Sequence, residues 1–254
     1  MGYPSDLKYR EWKRIKHYFW RQDKRGRPSK HTKRQLVNAI FYVVKSGVQW
    51  RMLPTDFPPW KTVYDHFSRW NKRGIWETVL DRLNRCHRKK QGRTPTPSYG
   101  LIDAQSVKTV YASEERGIDG GKGVKGRKRH IVVDVLGNLL HVVVHAANRS
   151  DTKAAGSVLS RAVEKYPSLQ AFLGDAGYRG TAVEYVENEL KLTLPIVEKL
   201  GTGFTVLPKR WIVERTFAWL GGFRRLSKDV EILTATAENM IRIAMLKLTL
   251  AKCI

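Results

Sequence analysis

Three carboxylates in this 254-residue chain stand where an acid could do chemistry. Asp175 closes residues 169–175, LQAFLGD, a short apolar run that reads as a buried strand delivering one acid at its carboxyl end. Asp103 closes residues 99–103, YGLID, in the same way. Glu214 lies among apolar neighbours in residues 209–220, KRWIVERTFAWL, which are helical by period, with Arg210 one turn earlier on the same face. A carboxylate in such surroundings is costly unless it is paired, hydrogen-bonded or holding a metal. Strand ends border the crevice of an open α/β sheet, and a helix crossing them can supply a third ligand. Hard cations such as Mg²⁺ or Mn²⁺ take oxygen ligands and keep several waters, so a few carboxylates suffice. Two such ions about 3.5–4 Å apart suit an in-line displacement at phosphorus. Other acids have simpler readings. Asp119 falls in a glycine-rich loop, Asp134 lies mid-strand with an outward face, and Asp151 stands at a helix start, where capping explains it. His130, His141 and His145 sit on mixed faces of two strands without an HExxH pattern, so they read as satisfied histidines rather than zinc ligands.

The elements that must position these acids follow from periodicity. Thr32 with Gln35 opens a helix whose apolar positions run Leu36, Ala39, Ile40, Val43 and Val44. A second helix opens after Pro58-Pro59 and closes at Gly74; a third runs from Ile75 to Cys86. Three short helices with basic residues between apolar stripes predict a small all-helical module of helix-turn-helix type over residues 1–93. Within it, 61–73 is the expected recognition helix, with Lys61, Arg69, Lys72 and Arg73 as DNA contacts. Arg25-Gly26-Arg27-Pro28 reads as a loop or a minor-groove arm. Residues 85–97 begin basic and end proline-rich, which predicts a linker and a second domain over 94–254. There the order is strand, hairpin of two strands turning at Gly137-Asn138, helix from Ser150, the Asp175 strand, a helix capped by Thr181 and Glu184, and a short strand. The class is α/β, a mixed sheet flanked by helices, and the order resembles a ribonuclease-H-like core. Between its first two strands lies a glycine- and lysine-rich loop, 117–129, whose Lys125, Arg127 and Lys128 suit phosphate contacts. The apolar stretch from Ala235 to the end reads as a core helix.

Charge narrows the partner. The chain carries a net +24, and residues 1–100 hold 24 Lys and Arg against 7 Asp and Glu. Solubility alone needs a net charge of only about 2–8. A field of this size implies a polyanion, and nucleic acid is the expected one. A membrane surface is not expected, since the chain has no run of 18 or more apolar residues and no signal-peptide pattern. The two cysteines, Cys86 and Cys253, exclude a disulfide framework and a cysteine-rich zinc site, and fit an intracellular protein.

Five segments together carry a family resemblance: LIDAQSVK (101–108), KGRKRHIVVDVLGNLL (125–140), GDAGYRG (174–180), RWIVERTFAWL (210–220) and FRRLSKD (223–229). The chain resembles a bacterial insertion-sequence transposase of the DDE type, in the insertion-sequence-five-like group, over roughly residues 30–250. The resemblance implies that Asp103, Asp175 and Glu214 are a metal-binding catalytic triad using two Mg²⁺ or Mn²⁺ ions. It implies binding to terminal inverted repeats, hydrolysis that frees a 3′-hydroxyl, and joining of that hydroxyl to target DNA. It also implies a homodimer or higher assembly on double-stranded DNA, in the bacterial cytoplasm at the nucleoid. The glutamate motif of the family places a tyrosine and a lysine where this chain has Leu207 and Gly221, leaving Arg224, Arg225 or Lys228 to supply the missing cation. Arg179 and Arg210 are further expected phosphate contacts. A ribonuclease-H-like nuclease without strand transfer, or a DNA-binding regulator that has lost catalysis, are the alternatives.

Overall fold

The computed structural model describes residues 2–20, 30–197 and 209–254. The arginine-rich arm at 25–28 and Leu207 lie outside these. The first elements are helical: α1 (Tyr9–Ile15), α2 (Lys33–Ser46), α3 (Trp60–Lys72) and α4 (Ile75–Lys90). Thr32 starts α2 as its pattern predicts. Its hydroxyl accepts from Gln35 N–H, and the Gln35 side chain accepts from Thr32 N–H. Gly47 then ends the helix with φ +74°.

The sheet follows: β1 (Tyr99–Lys108), β2 (Gly117–Asp119), β3 (Val124–Asp134), β4 (Leu139–Ala146), β5 (Ala171–Asp175) and β6 (Ile196–Val197). β1 is central, antiparallel to β3 and parallel to β5. β4 and β2 pair with β3, and β6 extends β5 in parallel. Between them run α5 (Asp151–Lys165) and α6 (Thr181–Asn188); α7 (Trp211–Gly221) and α8 (Thr234–Lys252) end the chain. This is a ribonuclease-H-like mixed sheet with helices on both faces. One face of β1, through Leu101, joins Leu173, α7, α8 and the amino-terminal helices in a single large core. The other face, through Ile102, packs with Phe172 on α5 and α6.

Several expectations need correction, some because a distant partner decided the outcome and the two helix caps for local reasons. Residues 85–90 are not linker but the last turns of α4, which packs on α8 and shares its core. Buried His87 and Arg88 hold it there. His87 Nδ1 lies 2.8 Å from Asn138 Oδ1, and Arg88 donates to Asp134 Oδ2 at 2.6 Å. Asp134 is therefore fully buried at the end of β3, not outward-facing. It also accepts from the N–H groups of Leu136 and Asn138, fixing the Gly137-Asn138 hairpin, where Gly137 takes φ +79°. The glycine-rich stretch 117–129 is a hairpin, with only 120–123 left as turn. Gly126 permits it: a Cβ there would lie 2.0 Å from the Val107 carbonyl oxygen. Asp103 lies midway along β1 rather than at its end. Ser150 caps α5, so Asp151 is its first helical residue, and Gly180 rather than Thr181 occupies the cap of α6.

Candidate active site and basic surface

The parallel register of β1 on β5 pairs Tyr99 with Ala171, Gly100 with Phe172 and Leu101 with Leu173. Two residues further on, the same register brings Asp103 level with Asp175. Strand alternation puts both side chains on the face of Leu101 and Leu173, the face on which α7 lies. α7 reaches that face because Ile212, Val213, Phe217 and Leu220 form its apolar stripe and are buried there. Glu214 stands between these positions and points outward, its side chain 55% exposed.

Arg210, at the head of α7, ties the helix to the sheet. Its Nη2 lies 3.2 Å from Asp175 Oδ2 and 3.5 Å from Glu214 Oε1. Asp175 Oδ1 accepts from Gly177 N–H at 2.9 Å, in the 3₁₀ turn that follows the strand. Among the described residues, Asp103 Oδ1 accepts only from the adjacent Ala104 N–H, at 2.7 Å. Burial raises the Asp103 carboxyl to about 7. The negative charge of Asp175 adds to the rise, while Arg210 and Lys122 oppose it. The structure thus brings Asp103 and Asp175 side by side and links Glu214 to them through one guanidinium. Among the described residues, no three His, Cys, Asp or Glu side chains are already gathered closely enough to hold one ion. Divalent metal nonetheless fits the donor set. All three donors are hard carboxylate oxygens, they outnumber the single arginine between them, and Asp103 sits where its charge is under-compensated.

Lys122 escaped the sequence reading, although its signal was there. Asp119 followed by Gly-Gly-Lys is an Asx turn. Asp119 Oδ1 accepts from Gly121 N–H and Lys122 N–H, and this turn carries Lys122 towards Asp103. Beneath the site Tyr178 is buried, its hydroxyl 2.7 Å from His130 Nε2. Burial lowers His130 to about 3, so it is neutral.

The expected basic contacts divide into two sets. Lys61, Arg69, Lys72 and Arg73 on and after α3, together with Lys125, Arg179, Arg224 and Lys228, are exposed, and Arg210 is half-buried. Arg127, Lys128 and Arg225 are buried and drop out of the DNA surface. Arg127 pairs with Asp229 at 3.2 Å, Lys128 with Asp151 at 2.9 Å and Arg225 with Glu231 at 2.7 Å. Lys228 and Arg129 line a cleft of about 320 Å³ beside β1, together with Gln105 and Gly221. Among the described residues no helix is long and apolar enough to cross a membrane.

Residues 94–247 match the family described as "Transposase DDE domain". Residues 7–80 match a family described as "transposase of IS4/5 family". No curated protein matches. A solved structure, "Mos1 transposase paired-end complex with left transposon end", is 14% identical with a TM-score of 0.25; the match covers 68% of this chain and 61% of that one.

Proposed function

The chain belongs to the transposases with a DDE domain, and we propose that it binds the terminal inverted repeats of an insertion sequence, hydrolyses each end to free a 3′-hydroxyl, and joins that hydroxyl to target DNA. The observation that carries this reading is the convergence of Asp103, Asp175 and Glu214 on one face, with Arg210 set among them. We assign these three as the catalytic carboxylates that would hold two Mg²⁺ or Mn²⁺ ions. Held by these carboxylates, such ions would supply Lewis-acid activation of an attacking oxygen and stabilisation of a leaving one.

The chain's own groups set up the rest. β1 and β5 hold two carboxylates at a fixed spacing, and Gly177 N–H orients Asp175. Arg210 limits repulsion between Asp175 and Glu214, and its remaining guanidinium N–H groups suit a phosphate oxygen. Arg179, Arg224 and Lys228 are exposed cations near these segments and would contact the DNA backbone. The exposed cations of α3 would add contacts to the element end. Water and a 3′-hydroxyl are both in-line nucleophiles, so one site serves both steps. Ends must be paired before joining, which calls for a dimer or larger assembly on DNA.

The test uses the full-length protein, Mg²⁺ and pre-cut element ends. Products longer than the input support strand transfer. Cleavage without joining would identify a nuclease, and DNA binding without cleavage a regulator. Asp175→Asn should abolish cleavage while leaving DNA affinity within a few-fold; cutting at the wild-type rate would remove Asp175 from the site.

A further inference from the structure

A second cleft of the described structure lies far along the chain from these acids. It measures about 620 Å³ and runs between α1, the turn after it, and α4. Its floor is apolar, from buried Ile15, Val79 and Leu83. Its walls carry Arg14, Arg82, Arg85 and Lys89, and an adjoining cleft adds Arg10 and Lys13. Among the described residues, no Asp or Glu lines either cleft.

The reason is visible in the two helices. α1 and α4 together contain three acids, Glu11, Glu77 and Asp81. Each is held inward by a lysine from the second half of the chain. Glu11 pairs with Lys247 at 3.0 Å, and Lys165 holds Glu77 at 2.7 Å and Asp81 at 2.8 Å. The outward faces are left with six exposed cations, none of which has a carboxylate partner among the described residues. Arg82, Arg85 and Lys89 form a stripe along α4 that spans about 10 Å of helix axis. By contrast, α3 interrupts its cations with Asp65, also exposed.

Cations stripped of acids and set in two facing rows repel one another, which costs stability unless a polyanion lies between them. We infer that the α1–α4 groove is a track for the phosphate backbone of double-stranded DNA, separate from α3, with Arg14, Arg82, Arg85 and Lys89 as its main contacts. This rests on the reading above that DNA is the substrate. Contacts of this kind carry no base code, so the groove supplies affinity and α3 is left for the sequence of the element end.

Binding of a short duplex of arbitrary sequence, followed by fluorescence anisotropy across a salt series, tests the assignment. Arg82→Gln/Arg85→Gln/Lys89→Gln should weaken binding roughly tenfold or more and flatten the plot of log affinity against log salt by about 2–3 units. All three side chains are exposed and their mutual repulsion is removed, so a melting temperature no lower than that of the wild type is expected and controls for folding. The comparison variant is Lys61→Gln/Arg69→Gln/Lys72→Gln. A flattened slope in that variant with an unchanged one in the groove variant would overturn the proposal and place the backbone on α3. Failure of the wild-type protein to bind duplex DNA at any salt concentration would instead overturn the substrate reading, and the groove with it.

Discussion

Arg127 and Arg210 both face carboxylates across the same sheet, but the ratio of charges around them differs. Arg127 is fully buried and saturated. It bonds Asp229 and the carbonyls of Glu114, Glu231 and Ile232, while Arg225 neutralises the nearby Glu231 carboxylate. Arg127 and Arg225 each have their own carboxylate there, so these two pairs fix the turn after α7 against β3. Around Arg210, one guanidinium serves Asp175 and Glu214, and among the described residues Asp103 has only a backbone N–H as hydrogen-bond donor. A matched cluster holds a fold together; a cluster with surplus acid stores repulsion that a cation can relieve.

Substitutions can break this contrast. The largest effect should come from Asp103→Asn, which should lower metal-dependent cleavage by about 10³-fold or more in a plasmid-nicking assay. Wild-type turnover would show that Asp103 is not part of the acid surplus. Next is Arg127→Met. Leaving Asp229 buried without its partner should cost about 3–5 kcal/mol in urea unfolding. A loss below about 1 kcal/mol would make the two clusters alike.

The third effect is pH-dependent. The Asp103 carboxyl titrates at about 7 in the folded chain and near 4 when unfolded. The folded state therefore holds the extra proton across that window. Stability of the metal-free protein should fall as pH rises from about 4 to 7, by about 2 kcal/mol once partial exposure is allowed for. Asp103→Asn should remove that slope, and its difference from wild type isolates this group from other buried acids. Identical slopes would place Asp103 among the matched charges. The smallest effect belongs to Arg161→Ala, which breaks an exposed pair with Glu164. It should change stability by no more than about 0.5 kcal/mol.

Much of this arrangement is legible in the chain itself. The cap at Thr32, the hairpin at Gly137-Asn138, the α7 repeat and the strand ending in Asp175 are each written within a few neighbouring residues. Short-range pattern sets backbone conformation, and backbone conformation places Asp103, Asp175 and Glu214 on their elements. The same pattern reads 85–97 as a linker, because nothing local reveals that Arg88 meets Asp134, 46 positions away. Nor does it separate Arg127 and Arg225, which are buried, from Arg224 and Lys228, which are exposed.

Residue order along the chain thus determined the elements, the basic character and the three carboxylates. Tertiary structure decided which cations remain free. A charge can be buried only where a partner of opposite sign arrives to offset its desolvation. For Arg127 that partner is 102 positions away, and only the folded sheet brings it near.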